Sequence, residues 1–378
     1  MTSFGGPIAH IGYFRREYVE RRGWLDEAEF ADLVALTQAL PGPASSELGI
    51  AIGTRREGLL GGIVAWIGFT LPSAVVLGGL GIFAASTDLS STGWVHGLKL
   101  AAVAVVAQAV WLMSRRLTPD WPRRAVAVAA AAVALLWTTP FSQIAIIASG
   151  ALIGWLLLRS ADAAIPNPVP SPIGRRFGLV CLELFFVLLL GLPIASGVAG
   201  QPVALFDAFY RSGALVFGGG HVVLPLLHTT VVDAGWVSDS RFLAGYGAAQ
   251  AVPGPLFTFS SYLGAAASPA PNGIPGATIA LVGIFLPAFL LVFAALPFWN
   301  LLRASVGFRR ALDGVNAAVV GLLLTALYTP VWTGAVSAPI DLTVVAGALA
   351  LLLTGRVPPI VVVALSALAG QTIVALHL

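Results

Sequence analysis

The sequence predicts an all-α polytopic membrane protein of two homologous halves, an inverted repeat with broken helices. Three observations predict it. The 378-residue chain is 58% hydrophobic and 10% charged, with a mean hydropathy of +0.91. A soluble domain carries about 25% charged residues, so this much apolar surface needs lipid as its solvent. Apolar runs recur at lengths near the ~17–25 residues that cross a bilayer. A set of landmarks is also written twice, in register, some 212 residues apart.

The runs, in order, are Leu59–Ala84, Val95–Met113, Ala125–Trp137, Ile144–Leu158, Phe177–Ile194, Ile279–Phe298, Leu342–Leu353 and Ile360–Leu376. With the shorter stretches between them they predict about ten to twelve membrane segments. Trp94, Trp121, Trp137, Trp155, Trp299 and Trp332 stand near run ends, as in an interfacial aromatic belt. A stretch rich in Pro and Ser, "RSADAAIPNPVPSPIGRR" at 159–176, cannot hold a regular element. It divides the chain into a first repeat, 1–158, and a second, 177–378.

The repeat is carried by particular residues. "FGGPIAH" at Phe4–His10, Trp24, Phe30 and "QALPGP" at Gln38–Pro43 are answered by "FGGGHVV" at Phe217–Val223, Trp236, Phe242 and "QAVPGP" at Gln250–Pro255. "FTLP" at Phe69–Pro72 is answered by "IFLP" at Ile284–Pro287. Register kept over this distance marks an internal duplication. The first half begins three residues before its "FGGP", so its first helix is expected to be shorter than its counterpart. No basic segment followed by an apolar one opens the chain, so no cleavable signal peptide is expected.

Arginines give the orientation. Arg55–Arg56, Arg115–Arg116, Arg123–Arg124, Arg159 and Arg175–Arg176 share one side if helices alternate. Arg303, Arg309 and Arg310 join them if the second "PGP" region crosses once. The halves are then inverted, a common transporter plan. On this count Arg15, Arg16, Arg21 and Arg22 fall on the wrong side, an exception that their acidic neighbours blunt but do not remove.

The paired motifs "FGGPxxH…WL…QxLPGP" and "FGGGHVVLP…W…QAVPGP" closely resemble those of the chromate ion transporter family in its long two-domain form, over essentially the whole chain. The resemblance implies a multi-pass protein of a bacterial inner membrane. It implies export of chromate driven by the proton-motive force, hence chromate resistance, without enzymatic activity or a cofactor. The partners expected are the oxyanion and the bilayer. A homodimer is an assembly open to such a chain.

Residue chemistry points the same way. Proline and glycine break a helix. The new N-terminus presents unpaired N–H groups and the positive end of a dipole, which bind anions. Pro41, Gly42 and Pro43 with Ser45 and Ser46, and Pro253, Gly254 and Pro255 with Thr258, Ser260 and Ser261, read as two such starts. Paired breaks suggest a shared midplane site; the competing reading is that Pro and Gly are common in membrane helices. Gly5, Gly6, Gly218, Gly219 and Gly220 allow backbone to approach a ligand. His10 and His221 could donate to an oxyanion or carry a proton, or simply pack. Gln38 and Gln250 could donate amide bonds or bridge helices. Lys99, the only lysine, and Arg211 are candidate counter-charges for a dianion. Glu47, Glu183 and Asp313 are candidate proton carriers, with interhelical pairing the alternative.

The sequence lacks other chemistries. The arginines are too scattered for a nucleic-acid stripe. Cys181 stands alone, so no disulfide or metal pattern is expected. There is no phosphate-binding Gly loop, HExxH or nucleophile elbow. Sulfate, with the charge and shape of chromate, is the rival substrate. An intramembrane enzyme is the rival of another class.

Overall fold

A computed structural model describes residues 6–87, 93–137, 142–159, 171–217 and 222–376. All regular elements among them are helical. Five helices there are long and apolar enough to cross a membrane: Ala44–Ser86, Gly93–Leu117, Arg175–Ser196, Gly273–Ala304 and Val306–Ala335. Shorter apolar helices, such as Ser142–Leu157, Pro339–Leu353 and Pro359–Ala375, accompany them. Each of the eight runs read from the sequence falls on a helix.

The first half opens with α1 (Gly6–Phe14), which continues as a π-helical stretch to Arg21. α2 (Glu27–Ala39) follows, started by a capping box between Asp26 and Glu29. α3 (Ala44–Ser86) is two helices in sequence, because Glu57 and Gly58 leave helical angles. The chain reverses there, and Gly53 and Gly61 pack backbone to backbone across the turn. Arg55, at the end of the 44–56 arm, reaches Glu29 at the start of α2 at 2.6 Å. The two arms therefore enter and leave on the same face, with "LPGP" at the tip of a re-entrant hairpin.

The second half repeats this. α10 (Asp239–Ala249) and α11 (Phe259–Ala266) form a hairpin with "VPGP" at its tip, and the Ser268 N–H returns to the carbonyl of Trp236 at 2.8 Å. Gly264 then packs on Gly276 of α12 (Gly273–Ala295), as Gly53 does on Gly61. This corrects the expectation that a "PGP" region crosses once. The physical reason is length: α2 has 13 residues and α10 has 11, about 16–20 Å of helix against a hydrocarbon core of ~30 Å.

The correction removes the arginine exception. Arg15 pairs with Glu27, which shares a base with Glu29 and Arg55. The Arg15 guanidinium also holds the exposed Glu27 carboxyl below its ordinary range. From that base, residues 59–86 run to the opposite face and α4 (Gly93–Leu117) returns. α5 (Trp121–Leu136) and α6 (Ser142–Leu157) make another pair, and Arg123 donates to the carbonyl of Arg159 at their common end. α7 (Arg175–Ser196) crosses again; α8 (Gln201–Ala214) turns back partway, and α9 (Val223–Leu227, extended to Val232) leads to the second hairpin.

α12 runs opposite to residues 59–86 and brings α13 (Trp299–Ala304) to the first base. There Trp299 Nε1 donates to Asp32 Oδ1 at 3.0 Å and Arg303 pairs with the same carboxylate. Trp299 is thus a buried anchor rather than a member of the aromatic belt. α14 (Val306–Ala326), the single turn α15 (Thr333–Ala335), α16 (Pro339–Leu353) and α17 (Pro359–Ala375) complete the fold. Of the arginines, only Arg211 and Arg241 lie away from the face that holds Arg15 and Arg55.

Candidate functional site

Each tip docks on the long span of the other half. A Cβ on Gly42 would lie 3.6 Å from Ala288 Cβ, next to Pro287 in α12. A Cβ on Gly254 would lie 2.4 Å from Ser73 Oγ, next to Pro72 in α3. Ser73 and Ala288 are themselves counterparts in the repeat, so the two contacts are related by its pseudo-twofold. The Gly42 N–H also donates to the carbonyl of Val216, at the threshold of "FGGGH", at 2.7 Å. The tips and the start of the glycine motif therefore converge inside the molecule.

The breaks require glycine at one place each. Gly42 has φ 145° and Gly254 φ 138°, a region costly for any residue with a Cβ. Beyond each glycine a proline fixes the chain and a helix begins. Pro43 caps the 44–56 arm without a side-chain cap. Its first amides, on Ala44, Ser45 and Ser46, have no intrahelical acceptor. After Pro255 a single 3₁₀ turn, Leu256–Thr258, precedes α11.

The side chains at the breaks divide into engaged and orphaned groups. His10, 2% exposed on α1, lies with Nδ1 3.1 Å from Ser45 Oγ and edge-on to Phe69. Thr258 donates to the carbonyl of Pro255 at 2.7 Å, so its hydroxyl proton closes the turn instead of facing a ligand. Ser261 donates to the carbonyl of Ala74 at 3.0 Å, tying hairpin to span. Ser46 Oγ, both carboxylate oxygens of Glu47 and Ser260 Oγ are buried with no hydrogen-bond partner among the described residues. A buried polar atom left unpaired costs roughly 1–3 kcal/mol. Ser46 and Glu47 lie in the first turn of one broken helix and Ser260 in the first turn of the other.

The other sequence-derived candidates separate. Lys99 is half-buried on the second turn of α4 and feels the charge of Asp239 at the base of the second hairpin. Its neighbours Leu98 and Ala101 pack towards Ala248 and Ala251 near the second tip. Arg211 is spent on Asp207, which it grips through Nε at 2.9 Å and Nη2 at 2.7 Å within α8, so its charge is balanced at home. Asp313 is paired with Arg123 at 2.6 Å on the arginine-rich face and is no free proton carrier. Glu183 points outwards from α7 between exposed Val180 and Leu184 and takes no part in the buried site. Gln38 accepts from Arg116 Nη2 at 2.8 Å, while Gln250 caps α10 one turn after the buried Tyr246. Gly6 opens α1. Gly5, Gly218, Gly219, Gly220 and His221 lie outside the described residues.

Sequence reasoning missed Arg116, which brings a cation to the first tip, and Ser73, which seats the second. Ser73 was findable: it follows the "FTLP" that answers "IFLP". It also missed a carboxylate–imidazole group on the face opposite the arginines. There His228 Nε2 lies 2.9 Å from Asp239 Oδ1, and His96 Nε2 lies 2.7 Å from Asp341 Oδ1. Among the described residues no three His, Cys, Asp or Glu side chains gather as metal ligands.

Fold and site together define a polytopic membrane protein whose inverted halves each carry a re-entrant hairpin broken at a buried tip. Comparison with known proteins then gives the family. Its model, Chromate transporter, matches twice, over residues 1–155 and 203–371, and the chain belongs to this family. A chromate transport protein of Pseudomonas aeruginosa is 29% identical over 85% of this chain and 76% of its own length. A probable chromate transport protein of Synechococcus elongatus is 29% identical over 86% of this chain and 80% of its own. An uncharacterised transporter of Methanocaldococcus jannaschii is 26% identical over the same shares. No solved structure matches the chain.

Proposed function

We propose that this protein exports chromate, or a tetrahedral dianion of the same shape, across a bacterial inner membrane and so confers chromate resistance. The observation that carries the reading is the pair of glycine-hinged tips, buried at pseudo-symmetric positions beside orphaned hydroxyl groups. Free N–H groups at a helix start, in a low dielectric, suit a tetrahedral oxyanion. Ser45, Ser46 and the amides beyond Pro43 form one side of the seat, and Ser260 with the turn after Pro255 the other. Lys99 and Arg116 supply positive potential from α4.

The arginine-rich face is the cytoplasmic one by the positive-inside rule. The repeats 1–158 and 177–378, joined by 159–176, each contribute one hairpin to the fixed site and pack their helices against those of the other half. A membrane potential negative inside drives a dianion outwards. Two charges gain about 4.6 kcal/mol per 100 mV, enough for a gradient of roughly a thousandfold. Relatives named for chromate transport support chromate as the cargo; its likeness to sulfate keeps sulfate as the second reading.

The test is uptake of labelled chromate into inside-out vesicles, with and without a proton gradient and with sulfate as competitor. Energised uptake that excess sulfate does not suppress is expected. Preferential accumulation of sulfate would transfer the assignment to that anion, and absence of both activities would overturn it.

A further inference from the structure

Glu47 stands out among the buried groups. It lies one turn into the 44–56 arm, is 0% exposed, and has no hydrogen-bond partner for either carboxylate oxygen among the described residues. A helical side chain leans back towards its own N-terminus. Glu47 does so far enough that Oε1 would lie 2.3 Å from a Cβ on Gly42. The carboxyl group therefore rests against the "PGP" tip, in front of the helix start, where an oxyanion would sit. No acidic residue follows the second break between Leu256 and Ala266.

We infer that Glu47 is a resident competitor for the oxyanion seat: its carboxyl group rests against the first tip when the seat is empty, ionises at high pH, and must take up a proton and withdraw when a dianion enters. The inference rests on the oxyanion reading above and adds its proton linkage. Two like charges in contact within a low dielectric cannot both remain. The dianion brings two negative charges, so the single carboxylate is the group that protonates.

Among the described residues, the other titratable groups on the elements packed around Glu47 are already engaged or distant, and Lys99 and Arg116 reach the seat only from α4. α1 presents His10, which is bonded to Ser45. α2 presents Asp32, held by Arg303 and Trp299, with Glu27 and Glu29 at the distant base paired to Arg15 and Arg55. α12 carries no ionisable side chain and α11 only Tyr262, whose hydroxyl donates to the carbonyl of Arg241. α10 contributes Asp239 and Arg241 at its far end and the buried Tyr246 one turn before Gln250. The balance is one proton taken from water for each dianion bound, with no bond made or broken in the anion. Proton and dianion consequently bind together and cross together, so the complex carries one net negative charge outwards and the membrane potential gives it half the electrical gain of the bare dianion.

The experiment measures oxyanion affinity and proton uptake on the purified full-length protein in nanodiscs between pH 5.5 and 8.5. Sulfate and chromate are the probes. Sulfate stays a dianion throughout, which separates titration of the protein from titration of chromate. For the parent protein, affinity is expected to fall about tenfold per pH unit above the Glu47 midpoint, with about one proton absorbed per anion. Glu47→Gln, nearly isosteric and permanently neutral, is expected to bind at least as tightly with no pH slope and no proton uptake. Glu47→Asp should keep the slope. Parent-like slope and proton uptake in Glu47→Gln would overturn the proposal, as would pH-independent sulfate binding by the parent. Failure of the parent to bind either anion at any pH would overturn the oxyanion reading itself. Thermal unfolding of Glu47→Gln, expected at or above the parent temperature, separates misfolding from loss of linkage.

Discussion

Replacing Gly254 with valine tests the tip geometry directly. The residue has φ 138°, and a Cβ there would sit 2.4 Å from Ser73 Oγ and 2.8 Å from Ser73 Cβ. Two costs follow. Holding a β-branched residue at that angle costs about 1–3 kcal/mol. Forcing atoms into the contact with α3 costs about 1–3 kcal/mol more. The sum, about 2–6 kcal/mol, shifts the population of the docked tip by a factor of roughly 30 to 10⁴. Gly254→Ala meets the same Ser73 atoms with less bulk. The double variant Gly254→Ala/Ser73→Ala removes the Oγ contact and should recover part of the loss, leaving the backbone share. The assay is initial uptake of labelled chromate into inside-out vesicles at matched protein level, with surface expression as control. Gly42→Val should also be severe, although its closest neighbour is the end of the flexible Glu47 side chain. If Gly254→Val transports like the parent, the tip is not a rigid part of the site and the reasoning fails.

The other expectations concern charge and topology. Lys99→Ala should insert and fold yet lose most chromate transport, measured in the same vesicles; parent-like uptake would return Lys99 to a packing role. Asp313→Asn should retain transport and its pH dependence, because the carboxylate serves Arg123; abolished transport in a well-folded variant would contradict that. Arg303→Ala leaves Asp32, 7% exposed, with Trp299 but no counter-charge, and should destabilise the protein by about 3–5 kcal/mol in thermal unfolding. In a Cys181→Ser background, Gly23→Cys and Glu57→Cys should label from one face and Gly235→Cys from the other. Reporters fused after Ala84 and after Trp299 should likewise report opposite sides.

Much of this protein is written locally. Composition forces a lipid environment, because no fold of this size hides so much apolar surface from water. The register of "FGGP", "QALPGP" and "FTLP" with their second copies declares two related halves. The prolines and glycines of the tips declare broken helices, since glycine at φ near 140° and a proline beside it leave the backbone no helical choice. Those features follow from the chemistry of residues within a few positions of one another.

Other features rest on contacts between distant residues, which periodicity does not encode. The sequence puts a boundary between Arg55–Arg56 and the run from Leu59, but only the packed chain shows the sharp reversal at Glu57 and Gly58, where Gly53 and Gly61 let the two arms touch. That one reversal puts Arg15 and Arg55 on the same face. Burial sorts the acids: Glu47, Glu183 and Asp313 look alike as single carboxylates near apolar runs. Packing leaves the first orphaned at a tip, turns the second outwards and gives the third to Arg123. Arg211 looks like a counter-charge until Asp207, one helical turn away, is seen to hold it. A local string fixes where a helix must break; only the packed structure fixes what faces the break, because that depends on which helices the free energy of close packing brings against it.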